Sequence, residues 1–343
     1  MKALAKASLA AAALVALAAC DLPFGLGLPT VRELNSGAGD SLDAAGSFRI
    51  SGSYAELSSS VTNYKHAINE ELSTAWKMDL ELVRPKTEHV VLSSKDVNLE
   101  AIITDHGSYF RGRQFLASNL GSDPYSQSLV QAAGDSWWTG LATLAPQLPD
   151  FTNGGGLRAS FLGTAVTSRT DHVSVGGVPA VELSGPRADV FLDEAPPHHV
   201  LRLHMHPGAA VDGITNADFT YSDYGRDFRI APPSGALDFA DQSTLPPIYT
   251  VVSVDTSACG SPCVVAASLK NLGGKTGARG PSAVTFTMTD PQSSSVLGTC
   301  TIAVQPDVGH SATTTVSCTI GGVNGADHNA AVVTAAADNS GLA

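Results

Sequence analysis

Between residues 48 and 110 large apolar side chains return at every second position, and that period limits the fold more than any other feature of the chain. Phe48 and Ile50, then Trp76, Met78, Leu80 and Leu82, then Val90 and Leu92, then Leu99, Ile102 and Ile103, and then Tyr109 and Phe110 form short runs separated by polar and turn residues. Successive side chains of a strand point to opposite faces, so each run has one face to bury and one to leave in water. Such runs joined in series predict an antiparallel meander, with Trp76, Met78 and Leu80 on one side of it.

The period changes after residue 120. Leu129, Val130, Trp137, Leu141 and Leu144 recur at spacings of three, four and seven without enrichment in β-branched residues, which predicts one or two helices that Pro146 and Pro149 stop. Asn153-Gly154-Gly155-Gly156 reads as a loop. Strand signals resume over 159–170, turn at Val175-Gly176-Gly177, and continue over 179–183, 188–192, 199–206 and 214–221. Pro232-Pro233 and Pro246-Pro247 bracket a segment of low periodicity and place a domain boundary near residue 245. Beyond it aromatic residues are scarce, Val, Thr, Ala and Ser are abundant, and strand-like runs follow at 249–254, 264–269, 283–289, 299–304, 312–320 and 330–335. That many short strands in so short a segment predicts a β-sandwich.

The amino terminus is of another kind. Lys2 and Lys6 precede a short apolar run over 9–16, and Leu17-Ala18-Ala19-Cys20 closes it with small residues. These are the parts of an export signal over 1–19, and the run is far shorter than the roughly 20 residues that span a bilayer. Leu-Ala-Ala-Cys resembles the lipobox of bacterial lipoproteins. The resemblance implies that Cys20 carries a diacylglyceryl thioether, often with a further amide-linked acyl chain such as palmitate. Two or more chains hold a protein stably at a bilayer, here on the extracytoplasmic face of the cell membrane. Residues 21–46 are rich in Gly, Pro, Leu and Ser without a sustained period and read as a tether of little order.

Charge and cysteine usage narrow the partners. Without Lys2 and Lys6 the chain keeps 18 basic against 32 acidic side chains, a balance that argues against nucleic acid and anionic headgroups as partners. Cys259, Cys263, Cys300 and Cys318 remain after Cys20, an even set that reads as disulfides in an exported chain. Of the three possible pairings, Cys259 with Cys263 around the turn Gly260-Ser261-Pro262, and Cys300 with Cys318 across a hairpin, is the one favoured.

No catalytic or metal-binding constellation is complete. His204 and His206 would share a strand face with Arg202, a cation that disfavours a divalent metal, and neither His198 nor His199 completes a ligand set. Gly274-Lys275-Thr276 ends like a phosphate loop but has Leu269 where the first glycine belongs. Gly309-His310-Ser311 starts like a nucleophile elbow, with Thr313 in place of the second glycine. Asp223 beside Tyr224 is an isolated carboxylate. The sequence therefore points to neither an enzyme, nor a cofactor, nor a metal site.

Trp76-Lys77-Met78-Asp79-Leu80, the hairpin from Ile103 through Asp105-His106-Gly107 to Gly112, and Tyr221-Ser222-Asp223-Tyr224-Gly225 before Ile230-Ala231-Pro232 resemble the mycobacterial-type lipid-carrier lipoproteins of the LolA-like group. The resemblance covers roughly 46–240. It implies a mainly β, α+β fold in which a bent antiparallel sheet, a half-barrel, wraps helices and receives acyl chains of lipids, glycolipids or lipoproteins between them. Ser268-Leu269-Lys270-Asn271 followed by Gly273-Gly274 resembles immunoglobulin-type modules of bacterial surface proteins. The expected order is then a signal over 1–19, a lipidated tether over 20–46, a LolA-like lipid-binding domain over 47–244 and an immunoglobulin-like sandwich over 245–343. Trp76, Met78 and Leu80 on one strand, with Trp137, Trp138 and Leu141 on a covering helix, are the expected pocket lining, although Trp137 and Trp138 cannot both point inward. Each buried methylene contributes about 0.8 kcal/mol, so an acyl chain needs no polar motif for affinity. The competing expectation is a solid structural or adhesive surface lipoprotein that acts through envelope protein contacts.

Overall fold

The computed structural model describes residues 28–57, 73–95, 97–120, 122–141, 151–163, 165–322 and 331–341; the export signal, Cys20, Leu144, Pro146 and Pro149 lie outside them. The chain is mainly β, with a large curved sheet and two smaller three-stranded sheets. In chain order the elements are helix α1 (Val31–Ala44), strands β1 (Ser47–Leu57), β2 (Ser73–Val83), β3 (Thr87–Ser93), β4 (Asn98–Thr104) and β5 (Gly107–Arg111), helices α2 (Arg113–Asn119) and α3 (Pro124–Ala133), and strand β6 (Trp138–Thr139). A helical turn α4 (Gly154–Leu157) runs into a π-helical turn, Arg158–Leu162, followed by β7 (Ser168–Val175), β8 (Val178–Ser184), β9 (Ala188–Asp193), β10 (Val200–Met205), β11 (Ala210–Val211), β12 (Ile214–Ser222) and β13 (Leu237–Asp238). The last six strands are β14 (Tyr249–Asp255), β15 (Cys263–Asn271), β16 (Ala283–Thr289), β17 (Val296–Ala303), β18 (Thr313–Ile320) and β19 (Val332–Asp338). The chain forms two compact units, one within Met1–Ala44 and Pro149–Val211 and the other within Ala45–Leu148 and Asp212–Ala343.

In the second unit the sheet runs β13-β6-β5-β4-β3-β2-β1-β12. The alternation seen in the sequence sets its register. Leu80 stands opposite Ile50 on one side and Val90 on the other, and Met78 opposite Gly52 and Leu92. Gly52 is required where β12 comes close, because a Cβ there would strike the Asp218 carbonyl. The β1–β12 register slips just beyond it, between Ser53 and Ala55, an irregularity that sharpens local twist.

The helical stretch ends earlier than the spacing predicts. Asp123 caps α3 by accepting from the Ser126 N–H at 3.0 Å, with Pro124 in the first turn. Gly134, at φ +51°, then turns the chain out of the helix. Trp137, Trp138 and Leu141 are therefore not on a covering helix: Trp138 opens β6, pairing with Phe110 of β5 and in parallel with Leu237 of β13. Helix α3 packs instead against β14.

The sandwich pairs sheet β14-β15-β18 with sheet β17-β16-β19 around Tyr249, Val265, Leu269, Phe286 and Met288. Disulfides join Cys259 to Cys263 and Cys300 to Cys318. The second is not a bridge across a hairpin, because β17 and β18 belong to different sheets, and it ties the two layers together. Asn271 is fully buried: its carbonyl accepts from Ile248 and Gly273 N–H, and its amide donates to the Gly274 and Val308 carbonyls. Gly273 and Gly274 allow this, since a Cβ on either would strike the Pro246 or Ser243 carbonyl.

The first unit corrects three expectations. Residues 31–44, read as part of a tether, form helix α1, begun by a reciprocal cap in which Glu33 N–H donates to Thr30 Oγ1 at 3.2 Å and Thr30 N–H to Glu33 Oε2 at 2.6 Å. Leu34, Ala38 and Leu42 repeat every fourth residue and are fully buried. Its glycines serve close packing, for a Cβ on Gly154 would overlap Gly39. Asn153-Gly154-Gly155-Gly156 is a capped helical turn rather than a loop, with the Asn153 side chain accepting from Gly156 N–H at 2.7 Å and Asp43 from Gly154 N–H at 2.8 Å. Residues 158–162 continue helically and β7 starts only at Ser168, because Phe161 and Leu162 bury together on one helical turn. The remaining strands of this unit run β10-β9-β8-β7.

Candidate functional site

The antiparallel register of the second unit assembles one continuous apolar face. Trp138, Phe110, Ala101, Val90, Leu80, Ile50 and Tyr221 stand in one row across seven strands, each opposite the next. Leu99, Leu92, Met78, Gly52 and Phe219 form the next row, and Trp76 faces Tyr54 beyond it. Directly opposed residues share a face, so the three large side chains of β2 lie where their period places them. Trp76 is 9% exposed, Met78 and Leu80 3% each, and Trp138 1%.

The two adjacent tryptophans part. Trp138 stacks between Phe110 and Phe239, with ring centroids 4.8 and 6.0 Å away. Trp137 is half-buried beneath the Arg111 guanidinium, 4.9 Å from its ring centroid, and Leu141 is half-buried beyond β6. Among the described residues, the buried indole N–H groups of Trp76 and Trp138 find no hydrogen-bond acceptor. A buried donor left unmade costs about 1–3 kcal/mol, and the two stand among the large apolar side chains of this face. The indole donors are the feature that sequence reading missed; only the absence of an acceptor in three dimensions reveals them.

The opposite face of the same strands carries most of their charge, while Glu88 at one end of β3 stands opposite Leu82 on the apolar face. Arg49 pairs with Asp79, His89 Nε2 lies 2.9 Å from Glu100 Oε1 and its Nδ1 3.4 Å from Glu81 Oε2, and Arg111 Nε donates to Glu100 Oε2 at 3.0 Å. Burial pushes the Glu100 carboxyl up, but hydrogen bonds from His89 and Arg111 outweigh it and hold the group below the usual carboxylate range. Shallow depressions elsewhere are lined mainly by polar side chains. One of about 310 Å³ lies between Arg111, Arg113 and Asp135, and one of about 550 Å³ lies between Glu33, Asp40, Glu194 and His198.

Among the described residues no group of three or more His, Cys, Asp or Glu side chains could hold a metal ion. His206 Nε2 sits 2.8 Å from Asp189 Oδ1, and Asp189 also accepts from Ser184, so the carboxylate lies between hydroxyl and imidazole and cannot orient that imidazole as a base toward the serine. Asp223 pairs with Arg226 at 3.2 Å in a turn. No described helix is long and apolar enough to cross a membrane. No protein-family model matches this sequence, and no curated protein matches it.

Proposed function

We propose that this chain is an exported lipoprotein, anchored through acylated Cys20, that binds the acyl chains of a lipid or glycolipid against the apolar face of its curved sheet. The observation that carries the proposal is the unbroken row from Trp138 to Tyr221, seven strands wide and free of charge, while Arg49, Asp79, Glu81, His89, Glu100 and Arg111 stand on the other face. A curved sheet with such a face suits chains that bind by burial of methylenes alone. The resemblance of the segments around Trp76, Asp105 and Tyr224 to LolA-like carriers supports the same reading, and the resemblance of Leu17-Ala18-Ala19-Cys20 to a lipobox supports the anchor. The sandwich would then face outward, toward an envelope protein partner.

One observation favours a second reading. Trp76, Met78 and Leu80 are nearly inaccessible, as in a solid core, and a solid chain would serve as a structural or adhesive surface lipoprotein. Native mass spectrometry of the chain purified from a bacterial host without detergent separates the two. Stoichiometric lipid, extractable in organic solvent and reduced by Met78→Gln, supports the carrier. An apo mass that persists after incubation with membrane lipids favours the structural reading. Membrane fractionation of Cys20→Ser tests the anchor, which predicts release of the variant from the membrane.

A further inference from the structure

Two polar hollows within the second unit lie end to end and share a wall. The first, of about 310 Å³, sits beside β4 and β5 and is lined by Asn98, Glu100, Arg111, Arg113, Gln114 and Asp135. The second, of about 300 Å³, lies between the end of α3 and the carboxy-terminal segment, where Arg113 and Asp135 recur together with Gln131, Arg279, Asp338 and Ser340. Their walls are fixed before any ligand arrives. Gly112, where a Cβ would strike the Asn98 carbonyl, brings the chain out of β5 directly against β4. Arg279 N–H donates to the Gly341 carbonyl at 3.1 Å, Ser340 Oγ to the Gly280 carbonyl, and Asn339 N–H to Gln131 Oε1 at 3.2 Å. A site already held in place loses little freedom on binding.

The lining narrows the ligand in three ways. First, charge balances in each hollow: Glu100 and Asp135 stand with Arg111 and Arg113 in one, Asp135 and Asp338 with Arg113 and Arg279 in the other. An anion would meet carboxylates there, in a chain of 20 basic and 32 acidic side chains, and a cation would meet guanidiniums, so the balance favours a neutral ligand. Second, guanidiniums only donate, carboxylates only accept, and the amides of Asn98, Gln114 and Gln131 do both, so the ligand must carry donors and acceptors together. Third, the large apolar residues along the hollows are Val91 and Leu99, and among the described residues no aromatic side chain lines either one. The apolar anchor pocket on which a peptide or a drug-like molecule depends is missing. A neutral chain of hydroxylated rings meets all three conditions.

We propose that the second unit binds a neutral oligosaccharide along these two hollows, with sugar hydroxyls accepting from Arg113 and Arg279 and donating to Asp135 and Asp338. The proposal goes beyond the lipid reading and does not rest on it, since no side chain of the row from Trp138 to Tyr221 lines either hollow.

Isothermal titration of the full chain carrying Cys20→Ser with the hexasaccharides of glucose, mannose, galactose and N-acetylglucosamine tests it. At least one hexasaccharide is expected to bind with a dissociation constant below about 1 mM. Because the ligand is neutral, its affinity should change less than about twofold between roughly 0.05 and 0.5 M salt. Arg113→Ala, at the shared wall, should weaken binding about tenfold or more, the worth of a hydrogen bond to a charged group. Arg229→Ala, a substitution of an arginine 91% exposed and outside both hollows, should leave it unchanged. Hydrogen exchange on the unsubstituted binding site gives a second reading that needs no folded variant: the bound hexasaccharide should protect 111–114 and 339–341. Failure of all four hexasaccharides to bind overturns the proposal, as does protection confined to other segments or an Arg113→Ala variant that binds with full affinity. Tighter, salt-sensitive binding of a hexagalacturonate overturns the neutral assignment, and binding of tetra-alanine in place of every sugar shows a peptide site instead.

Discussion

Trp138 stands directly opposite Phe110 across the β6–β5 pair, its ring 4.8 Å away at an interplanar angle of 30°, while Trp137 turns to the other face beneath Arg111. The side chains are adjacent in sequence and opposite in environment. Trp138→Ala is expected to cost about 3–5 kcal/mol, the usual loss for a large buried aromatic side chain. Trp137→Ala removes a partly exposed contact with a cation and is expected to cost about 0.5–1 kcal/mol. Urea unfolding of the two variants, followed by circular dichroism, checks the difference; equal costs would contradict the placement.

The Cys300–Cys318 bridge closes a separation of 18 residues between two sheets, and Cys259–Cys263 a separation of 4 residues within one loop. Loop-closure entropy then predicts a loss of about 3 kcal/mol for Cys300→Ser paired with Cys318→Ser, and about 2 kcal/mol for the other pair. Thermal unfolding of each double variant under non-reducing conditions measures this.

Asn339 is 1% exposed and joins three segments. Its Oδ1 accepts from Tyr249 N–H at 2.8 Å, its amide donates to the Tyr249 carbonyl and to Ser128 Oγ, and its own N–H reaches Gln131 on α3. Asn339→Ala strands the buried Tyr249 donor and is expected to cost about 1–3 kcal/mol. Hydrogen exchange should show protection lost at both α3 and β14, where a defect confined to the sandwich would spare α3.

Gly154 and Gly155 are neighbours with opposite expectations. A Cβ on Gly154 overlaps the Gly39 backbone, so Gly154→Ala forces α1 away and is expected to cost about 1–3 kcal/mol. A Cβ on Gly155 meets only Asn153 Oδ1 at 3.4 Å, and Gly155→Ala is expected to stabilise by about 0.4–1 kcal/mol through lost freedom of the unfolded chain. Differential scanning fluorimetry of both variants distinguishes the signs.

Burial holds the His199 imidazole below its ordinary range, opposed in part by Asp193. Its charged form is disfavoured in the folded state, so the unfolded chain takes up a proton first as pH falls. Stability is therefore unaffected by this group above its unfolded pKa of about 6.5 and declines below it until the folded group also titrates. Glu100, held below its ordinary range, adds a second loss at lower pH, beginning below about 4.3. Unfolding midpoints between pH 7 and 5 should fall less steeply in His199→Gln; an unchanged slope would sink the assignment.

Much of the sheet was legible in the sequence because its cause is local. Period-two burial at Trp76, Met78 and Leu80 sets the face of β2 whatever its neighbours are, and the strand runs of the sandwich follow the same rule. The even set of cysteines announced disulfides, and the adjacency of Trp137 and Trp138 required one of them to turn away. Tertiary packing decided the rest. The glycines of 31–44 and 153–156 looked like flexibility until Gly39 and Gly154 met at a spacing that admits no side chain. The apolar spacing past residue 120 looked helical through Trp137, but pairing with Phe110 and Leu237 drew Trp138 into the sheet. Whether a buried indole finds an acceptor depends on residues distant in the chain, so the unsatisfied donors of Trp76 and Trp138 belong to the fold alone.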